Sequence, residues 1–263
     1  MSIQDSAVLN ALHVVIGIDV HDTWPIGAPV PSPTPTPYIW VMFLNGLFMP
    51  SVKKGTKTFS DSFPAMQRGT DIGPLTIHNG IPSYLQPFII LGSSSVSEFG
   101  AFTVKIENLP VATAFPLKVV TYNLNCQGSA APPLPLPTGL VAAIPSTVFA
   151  GMNLGDIIAS AACMAADMLV GLALSKLSSY LNGRFILQNI TGPLTLRLFA
   201  NMNNLPLVRA IMLNVPSIIT GAFGFLPSKY ADYTPVGIYG TQRDNAAAAI
   251  AEYFNPPPGS HVN

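Results

Sequence analysis

The rhythm of apolar and polar positions changes twice along this chain, and the changes divide it. Residues 6–18 are an almost unbroken apolar run and predict a strand ending at Gly17 or Asp19. Then the apolar rhythm gives way to proline at every second position: Pro29, Pro31, Pro33, Pro35 and Pro37. Each proline fixes its own φ, lacks an N–H and pushes its predecessor into extended backbone. The stretch from residue 19 to 40 is therefore neither a helix nor a central strand. It is predicted to run as an extended strap along some other part of the molecule.

Beyond it, two apolar runs within residues 39–52 are split by Asn45-Gly46, a strong hairpin-turn signal. Residues 53–70 are polar and read as turn-rich. From 71 to 126 short strands are predicted at 75–77, 88–91, 102–106 and 119–124, each bounded by Gly, Asn, Pro or Ser. Thr103 to Glu107 alternates as a half-buried strand does. A second proline run at 132–137 leads into an extended segment at 138–145.

After Gly155 the period becomes helical. Asp156 is the expected N-cap of an Ala/Leu/Met-rich helix over 157–177 that stops near Asn182-Gly183. Residues 184–226 are apolar but broken by Pro193, Pro206 and Pro216, and 241–254 predict a second helix capped near Thr241. The fold class is thus mainly β: a body of short strands with proline-rich extended segments over residues 1–153, followed by an apolar, partly helical extension over 154–263. The first helix is long enough to span a bilayer, yet Asp167 sits inside it and costs about 2.5–3.5 kcal/mol on insertion. A buried helix, or half of a helical pair, is the better expectation.

Composition narrows the function. Among 263 residues, twelve basic and twelve acidic side chains cancel, and only 9% of residues are charged while 49% are hydrophobic. No basic run exists to neutralise phosphates, which excludes nucleic acid as the expected partner. So much uncharged surface predicts burial against a partner protein or transient contact with a membrane. Cys126 and Cys163 form no disulfide framework. Residues 1–12 lack a secretory signal pattern, so cytoplasmic synthesis is expected.

Familiar catalytic patterns are missing: there is no Gly-x-Ser-x-Gly, no phosphate-binding glycine loop and no His-Glu-x-x-His. An enzyme is not expected. Asp19 and Asp22 flank His21 and read as capping groups. His13, inside an apolar run, reads as a core histidine, and Lys176, Arg184 and Arg197 as solvated positions. His21, His78 and Cys126 carry the side-chain types that tetrahedral zinc prefers, although they are widely spaced rather than paired.

The order of these features resembles the PAAR-like spike-tip proteins of type VI secretion and related contractile injection systems. The resemblance spans about residues 17–155. It rests on Asp19-Val-His21, the proline run ending at Tyr38, Gly92 to Val96, the strand from Phe102 to Ala112, Asn125-Cys126 and Leu134 to Thr138. It implies a small cone-shaped β body whose base sits on a trimeric spike protein. It further implies a zinc ion held by His21, His78 and Cys126. The family has a histidine where this chain has Thr36, and Pro110-Val-Ala-Thr113 stands where Pro-Ala-Ala-Arg would fall.

By the same resemblance the protein would sharpen the spike for membrane puncture, leave the cell through the injection machine, and carry or recruit an effector, or a chaperone, through residues 154–263. The alternative is that this extension is itself a membrane-active, pore-forming toxin.

Overall fold

The computed structural model describes residues 2–23, 25–26, 32–41, 54–71, 78, 82–83, 86, 95–125, 138–181, 233 and 235–256. They form a mainly β protein with two long helices. Its longest ladder joins β2 (Val14–Thr23) to β3 (Ser32–Val41), antiparallel over ten residues, with Gly17 opposite Tyr38 and Asp19 opposite Thr36. The proline strap is therefore an edge strand. Proline at every second position puts all the missing N–H groups on one side of β3, and the intact ladder requires that side to face away from β2. With Pro33, Pro35 and Pro37 offering no N–H, that part of the edge is also a poor template for further strand addition.

Across β2 the sheet continues through β12 (Gly139–Ala142), β11 (Val120–Asn125), β7 (Ser95–Ser97) and β6 (Thr70–Asp71), while β10 (Pro116–Leu117) also pairs with β11. Three two-stranded ladders complete the β body: β1 (Gln4–Ala7) with β13 (Phe149–Met152), β4 (Lys54–Ser60) with β5 (Phe63–Met66), and β8 (Gly100–Ile106) with β9 (Leu109–Ala112). The strands expected at 102–106 and 119–124 are β8 and β11.

Two expectations change here. The first apolar run is not one strand but two, because Asn10 and His13 fold residues 9–13 into a turn. The Asn10 side chain accepts from the Leu12 N–H (2.9 Å), and His13 Nδ1 accepts from the Asn10 N–H (3.1 Å). Burial holds the His13 pKa down. Residues 54–66 are not a run of turns either. They are a hairpin closed at Asp61-Ser62, both with positive φ, as are Glu107-Asn108 between β8 and β9. Asp and Asn tolerate that left-handed backbone better than most residues. The hairpin turn expected at Asn45-Gly46, the strands at 75–77 and 88–91, the proline run at 132–137 and the apolar stretch 184–226 lie outside the described residues.

Helix α1 (Leu154–Leu181) begins three residues earlier than expected, because its cap is Asn153. Asn153 Oδ1 accepts from the Asp156 N–H while Asp156 Oδ2 accepts from the Asn153 N–H, both at 2.9 Å, a reciprocal capping box. Asp156 Oδ1 also accepts from Phe102 N–H at 2.8 Å, tying the helix start to β8. Burial raises the Asp156 pKa against these bonds. Helix α2 (Pro235–Phe254) starts at a proline, which needs no amide donor at the first helical position, so Thr241 lies inside the helix rather than at its cap.

Buried apolar residues cluster both within the β body and between it and the helices. Leu9, Val15, Tyr38, Met66 and Val141 are buried together, and beside them Phe99, Ile106, Val111 and Met152. Phe102 of β8 then packs with Ala159 and Cys163 of α1 and with Ala247 and Ala251 of α2. Both helices thus rest on the β body, although the change from strand to helix falls at the expected boundary.

Candidate metal centre

Along β2 the side chains of Val15, Asp19, His21 and Thr23 are buried while Ile16 and Ile18 are exposed, the alternation that a pleated strand imposes. Asp19 and His21 therefore point to the same interior side. On β3 Thr36 and Tyr38 point inward beside them, and the prolines at 33, 35 and 37 point out. His78 arrives from far along the chain, through an isolated bridge to Tyr38.

These side chains meet. Asp19 Oδ2 is 2.7 Å from His78 Nε2 and 3.7 Å from His21 Nε2. The two imidazoles stand edge to face at 5.0 Å, and the Tyr38 ring leans on His78 at 4.9 Å. Gln86 Nε2 donates to the His78 carbonyl at 2.8 Å, and Thr36 Oγ1 donates to the Asp19 carbonyl at 3.2 Å. One potential ligand atom from each of Asp19, His21 and His78 lies within 4.8 Å of the others, and all three residues are buried.

Such a group could hold a metal ion. Two imidazole nitrogens and a carboxylate oxygen are ligands that zinc and other first-row divalent metals accept. Tetrahedral zinc with bonds of about 2.0–2.2 Å sets neighbouring donor atoms about 3.3–3.6 Å apart. The Asp19–His21 spacing is already close to that. The Asp19–His78 contact is shorter because it is a hydrogen bond, with the His78 Nε2–H donating to the carboxylate. A metal would replace that proton and part the two groups by roughly 0.6–0.9 Å. With no metal bound, Asp19 and His78 form a buried hydrogen-bonded pair beside His21, itself able to hold His78 to β2.

Of the expected ligands, the structure brings His21 and His78 together, and Cys126 lies outside the described residues. His21 is in a strand rather than a loop, and Asp19 is no capping group: it is buried against His78. Asp19 was legible in principle, since positions two apart on a strand share a face. Tyr38 was not, because its role comes from a close approach. A Cβ on Gly17 would lie 2.6 Å from the Tyr38 hydroxyl oxygen, so only glycine leaves room for the ring that covers His78. Thr36, where the resemblance expects a histidine, is buried directly across the ladder from Asp19.

No protein-family model matches the chain, and no curated protein or solved structure matches it either. The class that the fold and site define is a mainly β protein with a buried Asp–His–His group.

Proposed function

We propose that this protein is a structural tip that caps the trimeric spike of a type VI secretion or related contractile injection machine, and that it is not an enzyme. The observation that carries the reading is the convergence of His21 and His78, two residues expected to share a metal although 57 positions apart. A β body of short strands and the proline-rich edge of β3 also support it. The metal assigned is zinc, held by His21 and His78, with Cys126, next in the chain after the last residue of β11, as a further ligand. Asp19 supplies a carboxylate on the side of the site where Thr36 offers only a hydroxyl.

Bound there, zinc would supply a cross-link between chain segments and so stiffen a body made of small ladders. The protein's own residues do the rest. Asp19 and His21 are aimed inward by β2, Tyr38 covers His78, and Gln86 fixes the backbone that carries it. In this reading the chain beyond α1 carries or recruits an effector or meets a chaperone. The protein is made in the cytoplasm and touches membrane only transiently, on firing.

Co-expression with a trimeric spike protein tests the docking. Retention of the untagged protein on a tagged spike is the expected result, and a monomer that no spike protein retains would overturn the reading. Elemental analysis should find zinc; a metal-free protein whose melting is indifferent to chelators would overturn the metal.

A second reading draws on α1, whose stretch Leu154–Ala173 has a mean hydropathy of 1.6, is 28% buried and is long enough to cross a membrane. On that reading the extension is a membrane-active toxin. Leakage from liposomes by the full chain would favour it, and intact liposomes would reject it.

A further inference from the structure

Five charged side chains from four separate segments meet where α2 packs on the rest of the protein. Arg68 follows β5, Glu98 lies between β7 and β8, Asp167 sits within α1, and Arg243 and Asp244 belong to α2. Arg68 donates to Glu98 at 2.7 Å and to Asp244 at 2.6 Å. Arg243 donates to Glu98 at 2.8 Å, to Asp244 at 3.0 Å and to Asp167. The Tyr239 hydroxyl donates to Asp167 at 2.7 Å. Arg68, Glu98 and Asp167 are all buried.

The residues that α2 contributes are Tyr239, Arg243, Ala247 and Ala251, one every four positions, with Asp244 alongside. That spacing is one stripe of a helix. Its charged half meets the ion cluster, and its alanine half meets Phe102, Ala159 and Cys163. The far end of the stripe is closer still. A Cβ on Gly155 would lie 2.5 Å from the Ala251 carbonyl oxygen, so α1 offers a glycine where the α2 backbone comes down. Asp167 faces residues 239–243 and Gly155 faces 251, which makes the two helices antiparallel.

A buried charge is tolerated only when paired and hydrogen-bonded, and removing one partner strands the other. Arg68 and Glu98 of the β body and Asp167 of α1 have their charges completed by α2. A helix with an arginine and a carboxylate side by side, and small residues one and two turns further on, meets those charges and the apolar floor beside them.

We infer that the face formed by Arg68, Glu98, Phe102, Cys163 and Asp167 is a helix-binding site whose ligand is α2, recognised by its side chains and held independently of its covalent connection. Residues 182–234 then form an insertion anchored at both ends, not a tail: whatever they carry departs from α1 and must return to a specific socket. This stands apart from the spike-tip reading and survives its failure.

The test uses the full chain with a specific protease site placed between residues 182 and 234. After cleavage, the fragment bearing α2 is expected to co-elute with the rest of the protein in gel filtration at micromolar concentration. A labelled synthetic peptide of residues 235–256 should then exchange into the socket. An Arg243→Gln peptide should compete roughly 30-fold less well or worse, the loss expected when a buried ionic partner is deleted. A Tyr253→Ala peptide, changed at a residue 70% exposed, should compete as well as the natural one. Loss of the fragment on cutting would overturn the inference, and so would equal competition by the Arg243→Gln peptide. Because the substitutions are in the peptide, the body stays wild type and its folding is not in question.

Discussion

Glu98 should make this protein less stable as pH rises from about 4.5 toward neutrality, opposite to the usual behaviour of a paired carboxylate. Among the described residues, Arg68 and Arg243 face Glu98, Asp167 and Asp244, so Glu98 shares its two arginines with other carboxylates. Burial pushes the Glu98 pKa up to about 7, opposed by Arg243 and Arg68 and helped by Asp167. Its ordinary value is 4.5. Between those values the folded protein holds a proton that the unfolded chain has released. Stability therefore falls as pH rises across this window and levels off above it.

The gap between 4.5 and about 7, at about 1.4 kcal/mol per pH unit, makes the full loss about 3–4 kcal/mol. Urea unfolding at pH values from 4.5 to 8 would measure it in the wild type and in Glu98→Gln, which cannot titrate. The comparison must be between the two proteins, because His13 and Asp156 also titrate differently on folding. The wild type should lose up to about 3–4 kcal/mol relative to the variant on going from low to high pH. Parallel stability curves for the two would refute the placement of the proton on Glu98.

At the metal centre, His78→Ala should abolish zinc retention in elemental analysis and make the melting temperature insensitive to chelators. Asp19→Asn should weaken binding by roughly 10-fold or more, read by competition with a chromogenic chelator. Gly17→Ala should cost about 1–3 kcal/mol in urea unfolding, because its Cβ collides with the Tyr38 ring. It should also lower metal retention, since that ring supports His78. Asn153→Ala removes one half of the capping box and should cost about 1 kcal/mol, seen as a lowered thermal midpoint.

The sequence by itself carried the fold class, and for local reasons. Alternation marked β8, turn residues bounded β11, and the Ala/Leu/Met run marked α1; all are short-range effects that the residues themselves impose. The proline strap could be excluded from helix and central strand because proline chemistry needs no partner to act. Even part of the site was readable, as His21 and His78 are the right ligand types.

Tertiary structure decided what meets what. Asn10 and His13 cut one apolar run into two strands through hydrogen bonds whose geometry the apolar pattern did not show. Asn153 rather than Asp156 caps α1 because the two residues bond reciprocally, and Asp156 is also spent on Phe102. Asp19 reads as a capping group in sequence but is a buried partner of His78 in space, because β2 extends through it and turns it inward. The ion cluster was invisible along the chain: Arg68, Glu98, Asp167 and Arg243 look like isolated charges until the packing of two helices on β8 buries them together. Residue type is a local property; the burial and pairing that turn it into chemistry arise only when distant segments close on one another.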